Sequence, residues 1–204
     1  KQLHDVFHQR ALDYYKEYLF VGGMPEVVEE YNKSKNPELV RILQNNILES
    51  YFNDMSKYNK QTEIPKTKIV YKNISTQLSK ENKKFKYSEI KKGARAAEYE
   101  NAIEWLCLSG IASQLFRLEQ IMLPLNAYRS LTDFKFFMND VGLCGASQNI
   151  YYDDIVGENP LFDNFKGGLT ENYVFNQLIE NGHNLYYWTS KSDAEIDFIS
   201  RIDG

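Results

Sequence analysis

Two carboxylates near the end of the chain are candidates for catalysis and for binding a divalent cation. Glu171 lies in "KGGLTENYVFNQLIENG", whose apolar spacing predicts a helix, and Asp197 interrupts the apolar run of "AEIDFIS", whose alternation predicts a strand. An ionised carboxylate on a half-buried strand is costly unless it is paired or bound to a cation. Carboxylates from a helix and a strand suit magnesium, which can activate water and neutralise a phosphodiester.

The same two residues also have a purely structural interpretation. Asp197 fits the solvent-facing side of an amphipathic strand, because polar and apolar residues alternate along "AEIDFIS". Glu171 lies near the start of its predicted helix, where a negative charge interacts favourably with the helix dipole. The pattern of residues alone leaves both interpretations open.

A basic segment between residues 66 and 95 is the second candidate site. It contains nine Lys and one Arg but only two Glu, whereas the whole chain has a formal net charge of -4. The basic residues that cluster in "SKENKKFKYSEIKKGAR" are Lys80, Lys83, Lys84, Lys86, Lys91, Lys92 and Arg95. Lysines bind phosphates by releasing counterions, and the neighbouring Phe85 and Tyr87 could stack on bases. The segment therefore predicts contact with DNA.

The helix that follows this segment argues against sequence-specific recognition. It carries Glu98, Glu100 and Glu104, and carboxylates repel phosphate. Contact of the lysine-rich turn with the nucleic-acid backbone is therefore expected rather than readout of base edges. The alternative is a solvated charged loop on a module that binds a protein partner.

The elements that position these residues fall into three predicted segments. Residues 1–63 read as helices, which are interrupted by Gly22-Gly23 and by "SKNP", with Pro25 suited to the first turn of a helix. Residues 64–140 read as helix, short helix, longer helix and β-hairpin, the order of a winged helix-turn-helix. In residues 141–204, "NDVGLCGA" and the acidic loop "YYDDIVGENP" connect to a helix and the strands "NLYYW" and "AEIDFIS". This order predicts a mainly α fold with an α/β C-terminal part.

Composition and motifs exclude several classes of protein. No apolar run approaches the roughly 18 residues of a membrane span, and the N-terminal residues lack the pattern of a signal peptide. Cys107 and Cys144 belong to no CxxC motif, which favours a reducing compartment, and the cytoplasm is the expected location. The chain begins without Met, so we expect it to be a piece of a longer protein.

Three motifs carry a resemblance to a known family. "YLFVGGMPEVV", "FKFFMNDVGL" and "GGLTENYVFNQLIENGHNLYYWTSKSDAEIDFIS" occur in the order found in a large family of bacterial and archaeal AAA+ ATPases. In that family a P-loop ATPase domain precedes a C-terminal domain of unknown function. The resemblance implies that residues 21–50 correspond to the helical lid of the ATPase. It also implies that ATP binds upstream of Lys1, since no GxxxxGK[ST] motif occurs in these residues.

The last segment of that family is similar to the PD-(D/E)xK nuclease core, here in incomplete form. Glu171 matches the acidic residue of the first helix of that core, and Asp197 matches the Asp of its second strand. The third strand with its E-x-K is absent, and Asp203-Gly204 is expected to turn towards it. The resemblance implies magnesium at a completed site, whereas this segment alone is expected to lack ATPase and nuclease activity. The alternative is a non-enzymatic regulatory or protein-interaction module with a degenerate nuclease-like fold.

The motif "GGMPEVV" also has two interpretations. It could approach the nucleotide of the upstream ATPase, as its place beside the lid implies. The same residues are explained without a ligand by a glycine that ends one helix and a proline that begins the next.

Overall fold

In the computed structural model, residues 2–80, 83–157, 159–190 and 194–202 are described. The predicted turn at Asp203-Gly204 lies outside these ranges. The described part is mainly α, with a four-stranded sheet formed by its C-terminal half, so the predicted fold class is confirmed. The longer helices are α1 (Gln2–Val21), α2 (Pro25–Ser34), α3 (Pro37–Tyr58), α4 (Ile64–Leu78), α6 (Ala96–Leu108) and α9 (Asp163–Glu180). The shorter helices are α5 (Tyr87–Ile90), α7 (Val141–Ser147) and α8 (Tyr152–Val156). None of the described helices is long and apolar enough to cross a membrane.

Glycine and proline set the helix ends in the first third of the chain. Gly22 follows α1 with a φ of 75°, a conformation that glycine adopts at little cost, and its N–H donates to the carbonyl of Tyr18. Pro25 and Pro37 occupy the first turns of α2 and α3, where a missing N–H costs nothing. Asn36 caps α3 by accepting a hydrogen bond from the N–H of Glu38.

The four strands form one mixed sheet in the order β2-β1-β3-β4. They are β1 (Ala112–Leu118), β2 (Arg129–Met138), β3 (Tyr186–Thr189) and β4 (Glu195–Ile199). β1 and β2 form the predicted antiparallel hairpin, whereas β1 also pairs with β3 in parallel. The hairpin is therefore part of the same sheet as the C-terminal strands and not a separate wing. The sheet includes strands from both sides of the predicted boundary at residue 140. The division into three domains stays a prediction.

The two faces of the sheet are covered by different helices, because side chains along a strand alternate between faces. On one face, Phe134 of β2 stacks on Phe85 at a centroid distance of 5.4 Å, near α4 and α5. On the other, Phe137 stacks on Phe175 of α9 at 4.6 Å. Lys135 follows Phe134 in β2, so its side chain lies on the opposite face, which it shares with Phe137 and α9.

The stretch predicted to be a plain connection contains helical structure. α7 and α8 occupy most of residues 141–156, and α7 is almost entirely buried. The loop predicted over "YYDDIVGENP" was wrong, since it contains α8. No helix was predicted at α7, because "VGLCGAS" is short and contains two glycines, which disfavour a helix. Asp140 compensates by capping α7, since its carboxylate accepts from the N–H of Leu143 at 2.7 Å.

Candidate carboxylate–lysine site

The side chain of Lys135 is the centre of a cluster of charged residues on the α9 face of the sheet. Its Nζ lies 2.5 Å from Oε1 of Glu171, 2.5 Å from Oε1 of Glu195 and 3.2 Å from Oδ1 of Asp197. Lys83 forms an ion pair with the second carboxylate oxygen of Glu171. Two ammonium groups therefore face three carboxylates, and we call these five residues the carboxylate–lysine cluster.

Helix α9 places Glu171 next to Lys135 by a close approach to the end of α4. A Cβ atom at Gly168 would collide with the carbonyl oxygen of Leu78, so this position requires a residue without a side chain. One turn later, Asn172 accepts from the backbone N–H of Met138 at 3.0 Å and donates to its carbonyl at 2.8 Å. These two buried hydrogen bonds fix α9 against the end of β2, three residues from Lys135.

The segment that precedes α5 brings the second lysine to the cluster. Lys84 pairs with Lys135 in an isolated antiparallel bridge, and the N–H of Phe85 donates to the carbonyl of Phe134 at 2.9 Å. The backbone of residues 84 and 85 thus covers the outer edge of β2. This pairing places Lys83 against Glu171.

Exposure increases across the cluster from the helix towards the last strand. The side chains of Lys135 and Glu171 are 2% and 5% exposed, whereas those of Glu195 and Asp197 are 39% and 57% exposed. Burial opposes the charged form of Lys135, but the carboxylates of Glu171 and Glu195 outweigh it and raise the pKa of Lys135 above its ordinary value. Lys135 is therefore a charged ammonium that is satisfied within the protein.

A buried tyrosine separates this cluster from a second charged group. The Nζ of Lys135 lies 5.0 Å from the centre of the Tyr187 ring, and burial raises the pKa of Tyr187 to about 12. Beyond Tyr187, Asp133 accepts from Nε of Arg117 at 2.9 Å and pairs with Lys84 at 2.7 Å. Burial opposes the charged form of Asp133, but Lys84 and Arg117 lower its pKa.

The structure brings together the two carboxylates that the sequence singled out, since Glu171 and Asp197 contact the same ammonium group. Within the described ranges, no group of three or more His, Cys, Asp or Glu side chains is arranged to hold a metal ion. The position on which the carboxylates converge holds the ammonium of Lys135. The catalytic and metal-binding roles of Glu171 and Asp197 stay predictions.

The predicted nucleic-acid lysines divide into two groups. Lys80, Lys83 and Lys84 form ion pairs with Glu89, Glu171 and Asp133, respectively. The other four side chains are exposed, and no ion pair joins them to a residue that the structure describes: Lys86, Lys91, Lys92 and Arg95. The charge available to phosphate is therefore smaller than the sequence suggested.

Sequence reasoning missed Lys135, Glu195 and Asn172 as parts of the site. Lys135 could have been found from the sequence. It is a charged residue between two phenylalanines in "FKFFMND", just as Asp197 is a charged residue within the apolar run of "AEIDFIS". Asn172 and Asn176 also lie one turn apart on α9, and both amides bond to the carbonyl of Met138. Polar residues at helical spacing on a face that packs against a sheet indicate an anchored helix.

The motif "GGMPEVV" makes close contacts within the protein. The N–H of Gly23 donates to the carboxylate of Asp140 at 2.7 Å, and a Cβ atom at Gly22 would collide with the same carboxylate. Burial raises the pKa of Asp140, although the backbone N–H groups around it favour its charged form. Two motifs of the resemblance, in α1–α2 and in β2–α7, therefore meet at this junction.

Comparison with known families covers most of the chain. Residues 12–154 match the family described as Domain of unknown function (DUF8612), and residues 166–204 match Domain of unknown function (DUF4143). The latter domain is known from the C-terminal region of AAA-type ATPases. The chain has no significant match among curated proteins or among solved structures. Because the first match spans more than half of its residues, the chain belongs to the family described as Domain of unknown function (DUF8612).

Proposed function

We propose that the chain is a non-catalytic interaction module in the C-terminal part of an AAA-type ATPase, with a nuclease-like core in which Lys135 replaces the metal ion. The observation that carries this proposal is the buried ammonium of Lys135 within 3.2 Å of three carboxylates. The match to DUF4143 supports the link to an ATPase. No P-loop motif occurs in the 204 residues, so we do not expect this chain to hydrolyse ATP alone.

Magnesium does not fit the cluster while Lys135 is in place. Magnesium binds about six oxygen ligands at about 2.0–2.1 Å, several of them waters, and the carboxylates could approach it so closely only if the ammonium left its position. The ammonium is itself held by ion pairs with Glu171 and Glu195. The role that we assign to these carboxylates is to bind Lys135 and so to join α9 to the sheet. In this proposal the outer surfaces of the resulting module contact a protein partner.

Titration with manganese tests this proposal. The wild-type chain is expected to bind Mn²⁺ no more tightly than the Asp197→Asn variant in calorimetry, and to leave duplex DNA intact in the presence of Mg²⁺ or Mn²⁺. Saturable binding that Asp197→Asn abolishes, together with DNA cleavage, would show a working metal site and overturn the proposal.

A second function, contact with a nucleic-acid backbone, is favoured by one observation. Lys86, Lys91, Lys92 and Arg95 are exposed on and beside α5 and at the start of α6. Side chains in this position can neutralise phosphates without reading bases. Glu98 and Glu100 on the same helix are also exposed and limit the number of phosphates that can approach.

Binding of duplex DNA at low salt distinguishes the two functions. If the backbone contact exists, Lys91→Glu with Lys92→Glu is expected to weaken binding, and the logarithm of the binding constant should fall linearly with the logarithm of salt concentration. Lys57→Glu with Lys60→Glu, which changes two exposed lysines outside the basic segment, is the control. Binding that is absent, or is equally weakened in both double variants, would leave the protein-interaction function as the one supported.

A further inference from the structure

A cleft between α1, the start of α3 and α8 lies apart from the carboxylate–lysine cluster. Its volume is about 640 Å³, and its walls include three aromatic rings, those of Phe20, Tyr151 and Tyr152. Tyr152 packs edge-on against Phe20 with centroids 5.3 Å apart, so these rings form one side. Tyr151 is 68% exposed, so its side chain is accessible from the solvent.

Arg41 of α3 lies in this cleft and has few partners for its charge. Its Nη2 donates to the backbone carbonyl of Ile150, and its guanidinium lies 4.9 Å from the centre of the Phe20 ring. Its Nη1 is buried and donates to no described protein atom. A guanidinium carries five N–H donors in a planar fork that matches carboxylate and phosphate oxygens. Most of that capacity is unused here.

No described carboxylate compensates for this burial. Glu38 and Asp153 line the cleft, but both are exposed and neither forms an ion pair with Arg41. Burial lowers the pKa of the Arg41 guanidinium. The weak acid Tyr151 acts in the opposite direction but does not outweigh the burial. A partly buried charge without a counterion is unfavourable, and an anion supplied from outside the chain would reduce that penalty.

We propose that the Arg41 cleft binds a small anion that carries a planar apolar group, such as an aryl carboxylate or an aryl phosphate. The carboxylate or phosphate oxygens accept hydrogen bonds from Arg41, and the apolar group lies against Tyr151 and Tyr152. Exposed Glu38 and Asp153 at the rim repel multiple negative charges, so a ligand of low charge is favoured over a polyphosphate. This site is independent of the function proposed above, because it shares no residue with the cluster or with the basic segment.

Nuclear magnetic resonance of the arginine side chains tests the proposal on the wild-type chain. Benzoate, phenyl phosphate and uncharged benzyl alcohol are titrated separately at constant ionic strength. At least one of the two anions is expected to shift the Arg41 guanidinium signals in a saturable way, whereas benzyl alcohol should not. The anion with the higher affinity identifies a carboxylate or a phosphate as the group recognised.

Substitutions of two arginines that both contact tyrosine or phenylalanine rings supply the control. Arg41→Gln should weaken binding of the preferred anion by about tenfold or more, since a charge-assisted hydrogen bond is lost. Arg10→Gln should leave it unchanged, because Arg10 lies over Tyr14 on the exposed surface of α1. Arg41→Lys keeps the charge without the planar fork and should bind with intermediate affinity.

Three results would overturn the proposal. They are the absence of saturable shifts with both anions, equal binding of benzyl alcohol, and equal affinity of Arg41→Gln and Arg10→Gln. If Arg41→Gln fails to fold, the shifts of the wild-type Arg41 signals and the affinity of Arg41→Lys decide the question.

Discussion

Lys135 carries a positive charge on a buried side chain and Arg41 on a partly buried one, and the surroundings of the two charges are opposite. Three carboxylates contact Lys135, and although burial opposes its charged form, Glu171 and Glu195 raise its pKa. Arg41 is held by a backbone carbonyl and an aromatic ring, and burial lowers its pKa. A cation satisfied within the chain indicates a structural role, whereas an unsatisfied one indicates a place for an external anion.

Removal of the satisfied cation should have the largest effect on stability. Lys135→Met leaves Glu171 buried beside two other carboxylates, so we expect the free energy of unfolding to fall by about 3–5 kcal/mol. Unfolding in urea measures this change. Lys84→Met is the matched control, since Lys84 is 40% exposed in its ion pair with Asp133 and should cost about 1 kcal/mol or less. Equal losses in the two variants would contradict the central role of Lys135.

The carboxylates of the cluster should differ according to their burial. Glu171→Gln is expected to destabilise the protein clearly more than Asp197→Asn, because Glu171 is 5% exposed and pairs with both lysines, whereas Asp197 is 57% exposed. For Asp197→Asn the expected loss is about 1 kcal/mol or less. The same urea experiment compares them, and a larger loss for Asp197→Asn would contradict the ranking by burial.

The raised pKa of Lys135 predicts how its contribution depends on pH. A base whose pKa is higher in the folded state contributes stability that is fully present below its unfolded value of about 10.4. That contribution is lost as the pH rises through the folded value. The difference in unfolding free energy between the wild type and Lys135→Met should therefore be constant from about pH 7 to 10 and shrink at higher pH. A difference that grows with pH would contradict the direction of the shift.

Removal of the unsatisfied cation should have the smallest effect on stability. Arg41→Met loses the hydrogen bond to Ile150 and the contact with Phe20, but it also removes a buried N–H without a partner. Because these terms oppose each other, we expect a change of about 1 kcal/mol or less in either direction. Thermal unfolding of this variant beside Lys135→Met measures the contrast, and a loss as large as that of Lys135→Met would remove the distinction between the two cations.

Local signals in the sequence predicted much of the fold. Gly22, Pro25 and Pro37 mark helix ends by restricting or freeing the backbone, and these ends were found as expected. The alternation of "AEIDFIS" predicted β4. The parallel pairing of β1 with β3 was not predictable, because it joins residues about 70 positions apart and leaves no local pattern.

The candidate site was predicted only in part for the same reason. Glu171 and Asp197 were identified as charges in apolar surroundings, but their common partner comes from β2, which packs beside them only in the folded sheet. Arg41 lies in an ordinary amphipathic helix. Its surroundings include Ile150 and the neighbouring α8, which was predicted to be a loop. The identity of a charged residue is visible in the sequence, whereas its partners depend on the tertiary structure.

The most direct test of the central claim is to observe the Lys135 ammonium group itself. In ¹⁵N spectra of lysine side chains, the signal that Lys135→Met removes should be protected from exchange at neutral pH, because Glu171 and Glu195 hold the group in a buried site. Addition of Mg²⁺ should leave it unchanged if Lys135 takes the place of the metal. A Lys135 signal that shifts or exchanges freely when Mg²⁺ is added would contradict the account.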